Sequence, residues 1–188
     1  MKVYKHVVFC VLLLLIGCSP FDYAPNYNHN ESVDIQLHSN AVAVFRLTNG
    51  DNKSSRWGYG LNIGFMHEEK DSKAAIIGCN TSDNVWHAKL IKEGRYRLSD
   101  IAKAEANVEY HYSYTTRTVQ YWPISGIHFS VKKGEVVYIG DFVFYPSTGG
   151  FGVKNRFEEV KKNISKTMPE LASRLQERVV EGEPYENI

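Results

Sequence analysis

Between Val33 and Tyr145 the chain is a succession of short apolar runs at period two, punctuated by turn residues. No other feature constrains its fold more, because such alternation marks strands with one buried face. Val33-Asp34-Ile35-Gln36-Leu37 alternates cleanly and reads as the first strand. Ala41 to Leu47 is the next, closed by Asn49-Gly50-Asp51-Asn52. Trp57 to Phe65 puts Trp57, Tyr59, Leu61, Ile63 and Phe65 on one face and Gly58, Gly60 and Gly64 on the other. The large face can fill a core while the glycine face admits another backbone. No helix start follows these glycines, so they do not form a phosphate-binding loop. Lys73 to Cys79, Val85 to Ile91 and Tyr96 to Leu98 continue the series. Asn107 to Tyr114 and Thr116 to Trp122 read as a hairpin. Ile127 to Val131 and Glu135 to Tyr145 flank the turn Lys132-Lys133-Gly134. About nine or ten short strands at this spacing predict a mainly β domain, a sandwich or barrel. Twelve Tyr, nine Phe and three Trp suit its core.

The end of the chain changes rhythm. Pro146-Ser147-Thr148-Gly149-Gly150 is a break. From about Asn155 the spacing becomes helical: Phe157, Val160 and Ile164, then Met168, Leu171, Leu175 and Val179. Thr167-Met168-Pro169-Glu170 reads as a capping box with Thr167 as cap, so a second helix is predicted to start there. The fold expected is therefore a β-sandwich followed by a C-terminal pair of α-helices.

The start of the chain is different again. Lys2 and Lys5 precede an uncharged apolar run from Val7 to Ile16. Ten residues make about 15 Å of helix, half a bilayer core, which suits a signal peptide better than a membrane span. The run ends Leu15-Ile16-Gly17-Cys18, which resembles the bacterial lipobox. The resemblance implies cleavage between Gly17 and Cys18 and a covalent lipid on Cys18, with no other cofactor. Bulky Phe9 precedes Cys10, and the apolar run continues past it, so Cys10 is not the lipidated residue. Two or three acyl chains on one residue hold a protein firmly to a membrane. Ser19 lacks the aspartate that commonly retains such proteins at the inner membrane. The expectation is thus a bacterial envelope lipoprotein at the outer membrane, on either its periplasmic or its surface face.

The predicted organisation is residues 1–17 as signal peptide, 18–32 as lipidated N-terminus and flexible tether, 33–146 as sandwich domain, and 153–181 as helical segment. The tether carries Pro20, Pro25 and three asparagines and has no apolar periodicity. Loss of Lys2 and Lys5 turns the net charge from +1 to −1. A near-neutral chain has no long-range field with which to gather nucleic acid, so no nucleic-acid partner is expected.

Cys79 remains the one free thiol of the mature chain, so no internal disulfide can form. Its apolar run, Ala74 to Cys79, reads as a buried strand and an inert thiol; the sharper reading pairs Cys79 with His87 or another histidine as a nucleophile. Glu109, His111 and a distant His128 could meet around a metal, although surface polar roles fit them better. No standard hydrolase, zinc or phosphate-binding motif is present, so catalytic and metal residues are expected to be none. The most unusual stretch is Glu109-Tyr110-His111-Tyr112-Ser113-Tyr114, followed by Tyr121-Trp122. Tyr110, Tyr112, Tyr114 and Trp122 form a candidate binding patch for a glycan or an envelope protein. Cross-strand packing inside a hairpin explains the same residues.

Leu90-Ile91-Lys92-Glu93-Gly94-Arg95-Tyr96-Arg97-Leu98 and Phe129-Ser130-Val131-Lys132-Lys133-Gly134-Glu135-Val136-Val137-Tyr138-Ile139-Gly140-Asp141 resemble segments of small bacterial lipoproteins. Those lipoproteins carry a transthyretin-like or carboxypeptidase-regulatory-like β-sandwich. The resemblance spans roughly residues 85–145 and carries turn and core-strand chemistry. It implies a fold and transfers no catalytic residue. The function expected is a non-enzymatic, membrane-anchored binding or assembly module. The alternatives are an envelope hydrolase of unfamiliar type or a surface-displayed structural lipoprotein.

Overall fold

A computed structural model describes residues 26–51, 60–69, 76–79, 86–108 and 115–180. It is mainly β, as the alternation predicts, and its strands form two five-stranded sheets. The first runs β10-β8-β1-β4, with β9 also paired to β8. Its members are β1 (Ala41–Asn49), β4 (His87–Ile91), β8 (Val136–Tyr145), β9 (Gly150–Lys154) and β10 (Leu175–Glu177). The second runs β3-β2-β5-β6, with β7 also paired to β5. It comprises β2 (Gly60–His67), β3 (Ile76–Cys79), β5 (Gly94–Val108), β6 (Thr115–Pro123) and β7 (His128–Val131). Among the described residues three short helices accompany them: α1 (Val33–Leu37), α2 (Phe157–Thr167) and α3 (Pro169–Arg174). No helix among the described residues is long and apolar enough to cross a membrane.

One aromatic-rich core joins the two sheets. Ala41, Ala43, Phe45 and Leu47 of β1 meet Leu61, Ile63 and Phe65 of β2 and Phe142 and Phe144 of β8. Phe65 is central, its ring 5.1 Å from that of Phe129 and 5.8 Å from that of Phe142. The alternate residues of β1, Val42 and Val44, face the other way. There they pack with Val136, Tyr138 and the apolar sides of all three helices. Strict alternation in β1 thus serves two cores, one on each face of its sheet.

Two β-bulges set the phase of the longer strands. In β8, Val44 pairs with Tyr138 but Phe45 pairs with Gly140, so Ile139 is the extra residue. Gly140 takes φ +135°, and a Cβ there would lie 2.7 Å from Val153 Cγ1. The bulge flips the alternation, so Phe142 and Phe144 enter the shared core while Asp141 turns beneath α2. It also divides the edge of β8: β10 pairs with residues before it and β9 with residues after it. In β5 the pairing skips Ser99, which lets Leu98 and Ile101, three apart, both point inward.

Asp141 meets Arg46 of β1 in a two-pronged ion pair. Arg46 Nε donates to Oδ1 at 3.1 Å and Nη2 donates to Oδ2 at 2.5 Å. Both residues are buried, at 5% and 1% exposure. Arg156 Nε lies 3.2 Å from the same carboxylate, and Arg46 Nη1 lies 3.7 Å from Glu159. The Arg46 guanidinium also sits 4.5 Å over the Trp86 ring.

Several expectations are corrected. Val33–Leu37 is a helix. Its spacing fits both periods, and the helix buries Val33, Gln36 and Leu37 while exposing Ile35. Gln36 decides the outcome: its amide donates to the carbonyls of Asn28 and Glu31, and its oxygen accepts from Asn28 N–H at 2.8 Å. Residues 26–32, expected to end the tether, are therefore fixed to the domain. Asn26 bridges Lys89, and Tyr27 N–H donates to Ala88 C=O. The two C-terminal helices form, but the cap of α3 is Met168 rather than Thr167, and no side chain caps it. The chain leaves α3 at Leu175, expected to be helical, because that backbone pairs with β8 and its side chain is buried.

Removing one member of the buried pair leaves the other charge without its partner. Asp141→Ala is expected to cost about 3–5 kcal/mol in urea unfolding. The double variant Arg46→Met with Asp141→Leu is expected to cost much less, because neither charge remains.

Candidate functional site

The bulge at Ser99 shapes one end of the domain. β6 pairs with β5 up to Asp100, and β7 takes over at Arg97. Between them Leu98 N–H donates to Ile127 C=O, and Ile124 N–H donates to Ser99 C=O. Residues 124–127 are thus thrown outward, with Gly126 at φ +83° providing the turn. Opposite them the β8–β9 turn closes through Thr148 and Gly149 N–H groups, both donating to Tyr145 C=O. A groove of about 320 Å³ lies between the two segments.

The groove has an apolar floor and a polar rim. Ile127 and Phe151 are buried in the shared core, and Phe151 stacks on Phe142 at 5.9 Å. Ser125 and Thr148 bring hydroxyls to the rim, and Thr148 Oγ1 accepts from Gly150 N–H at 3.1 Å. Asp51 fixes the turn by accepting from Ser147 N–H and Oγ at 2.9 and 2.7 Å. An apolar floor with a few hydroxyls and backbone groups suits a small, mostly apolar body or one projecting side chain.

Trp122 lies next to Pro123, which lines this groove, and pairs with Ile101 in the sheet register. Its side chain lies outside what is described, as do Tyr110, Tyr112 and Tyr114 in full. Cys18, Gly17, Glu109 and His111 also lie outside the described residues. Cys79 closes β3 in the second sheet, paired with Leu61, whereas His87 opens β4 in the first. His87 stacks on Phe45 at 5.4 Å. Burial, helped by the nearby Lys89 charge, lowers its pKa to about 4.

Two further clusters are visible. His128 Nδ1 lies 2.5 Å from Glu68 Oε1, and Arg95 Nε lies 3.2 Å from the other oxygen of that carboxylate. Among the described residues no three His, Cys, Asp or Glu side chains converge to hold an ion. A second groove, about 310 Å³, separates Tyr27–Ser32 from the α2–α3 junction. Tyr138 knits that side of the fold: its hydroxyl donates to Lys154 C=O and accepts from Arg156 N–H. Burial pushes its pKa up to about 12.

No family model, curated protein or solved structure matches the chain. Sequence reasoning missed Ile124, Ile127 and Phe151 as groove residues. The run Pro146 to Gly150 marked a break, but nothing in the sequence showed that it would face residues 124–127.

His87 gives a signed pH dependence. Its folded pKa lies below the unfolded value near 6.5, so the unfolded chain binds more protons between the two. Its contribution is complete above pH 6.5 and is lost as pH falls toward 4, by about 2–3 kcal/mol. His87→Phe keeps the ring against Phe45 and is expected to remove that share of the acid slope in urea titrations.

Proposed function

We propose that the protein is a lipid-anchored lipoprotein of the bacterial envelope, sorted to the outer membrane. In this reading its β-rich domain is a transthyretin-like or carboxypeptidase-regulatory-like sandwich serving as a binding or assembly module. The observation that carries the reading is the lipobox-like Leu15-Ile16-Gly17-Cys18, placed eight residues before Asn26, the first described residue, which is bridged to the domain. A lipidated cysteine so close to a folded edge makes a short anchor for a compact head. The shared core between two sheets, with helices on the outer side of one, supports the sandwich.

The groove between 124–127 and 148–151 supports the binding role. It lies where β1 ends, since Gly50 N–H donates to Phe144 C=O and Asp51 holds Ser147. The chain joins the fold near where β1 begins. Nine residues of strand separate the two ends by about 27 Å. A partner, an envelope protein or a glycan, thus reaches the groove on the side away from the anchor.

Cys18→Ala tests the anchor. Cells given radiolabelled palmitate are expected to label the natural protein and not the variant, and the variant is expected to leave the membrane pellet. A variant that keeps both label and pelleting contradicts the reading.

A further inference from the structure

The short link between Cys18 and the domain limits how the domain can sit. Eight residue steps reach about 28 Å at full extension. From Asn26 the chain runs along the edge of β4, is gripped at Asn28 by Gln36, and passes into α1. It then turns through Ser39 and Asn40 into β1. Asn26 bridges Lys89, which pairs with Ala43 close to the start of β1, so the described chain joins the domain toward the end from which β1 sets out.

That end has its own surface chemistry. Ile35 of α1 is 63% exposed, the large hydrophobic side chain left in solvent among the described residues. Lys92, Lys132 and Lys133 are exposed on two turns gathered around Asn40. Lys92 Nζ donates to Ser39 C=O and to Asn40 Oδ1, at 3.3 and 2.9 Å. Gly134 N–H donates to Asn40 C=O at 2.9 Å, and Lys133 N–H donates to Glu93 Oε2 at 3.4 Å. Glu93 lies among these lysines, and the exposed Glu68 and Glu69 follow β2 at the same end, Glu68 engaged by Arg95 at 3.2 Å and by His128. Glu135 is engaged by Arg178 at 2.7 Å, and Asp34 by Arg174 at 2.7 Å. Three lysines set against the carboxylates of Glu93 and Glu69, with one protruding aliphatic side chain, fit an interface of anionic headgroups over acyl chains.

We propose that this end rests on the membrane, with Ile35 entering the headgroup layer and Lys92, Lys132 and Lys133 facing lipid phosphates. The proposal builds on the lipidation of Cys18, and it turns the groove at 124–127 and 148–151 away from the bilayer. The anchor supplies proximity; Ile35 and the three lysines supply orientation.

The test uses the lipidated full chain in vesicles of phosphatidylglycerol and phosphatidylethanolamine. In a Cys79→Ser background, a fluorophore is attached at His38→Cys, beside Ile35, or at Thr148→Cys, at the groove. Quenching by spin-labelled lipid is expected to be at least about threefold stronger at position 38 than at 148. Ile35→Ser and the charge reversal K92E/K132E/K133E are each expected to bring position 38 down toward the level of 148. Vesicles of phosphatidylcholine are expected to weaken the contrast. An unchanged thermal midpoint shows that each surface variant is folded. Flotation with the vesicles reads the anchor separately. A protein that floats but is quenched equally at both positions overturns the orientation alone. A protein that does not float overturns the anchor and the orientation with it.

Discussion

Burying Arg46 and Asp141 beneath α2 takes two charges out of water, which costs several kcal/mol per ion unless each is paired and hydrogen-bonded. The fold meets that condition through the bulge in β8. Ile139 is the surplus residue, Gly140 takes the left-handed backbone, and Asp141 arrives under the helix. The carboxylate then accepts from Arg46 and lies 3.2 Å from Arg156 as well. Among the described residues no buried side-chain polar atom lacks a partner. The same bulge turns Phe142 and Phe144 into the shared core and hands the strand edge from β10 to β9. One irregular residue thus couples the aromatic core, the ionic layer and the C-terminal helices.

The second bulge does comparable work for the candidate site. Skipping Ser99 ends the reach of β6 and begins that of β7. The freed Leu98 N–H and Ser99 C=O hold the out-turned segment 124–127. The groove exists because a strand is locally out of register, and Phe151 ties its floor back to Phe142 in the core. Opposite it, the end from which β1 sets out is built from local contacts, chiefly the Gln36 grip on Asn28 and Glu31.

What the sequence disclosed follows from which interactions are local. β1 and β8 stand out as nearly continuous apolar runs because both faces of their sheet are covered, and β7 alternates because one of its faces lies in the shared core. Val33–Leu37 satisfies both periods, and contacts from Asn28 and Glu31 decide for helix. β5 extends from Gly94 to Val108, yet only Tyr96 to Leu98 and the stretch from Asn107 read as strand. Ser99 and Asp100 break the alternation, and Ala102 to Asn107 has weak strand propensity, so pairing with β2 and β6 makes it a strand. β9 is hidden by its glycines, and β10 by the helical spacing of Leu171 and Leu175. Arg46 and Asp141 lie 95 residues apart, and no local pattern pairs them. The resemblance to a lipobox rests on contiguous residues, a charged start, an apolar run, a small residue and a cysteine, all of which lie outside the described residues.

The two ends of the strands differ: Asn26 is bridged to Lys89 near one, and the other opens a groove. The account stands on Cys18 becoming the first residue and carrying lipid. Intact-mass and amino-terminal peptide analysis of the protein extracted from its native membranes tests this most directly. The account predicts a chain that begins at residue 18 with acyl groups on that cysteine. A chain that begins elsewhere, or an unmodified Cys18 thiol, contradicts it.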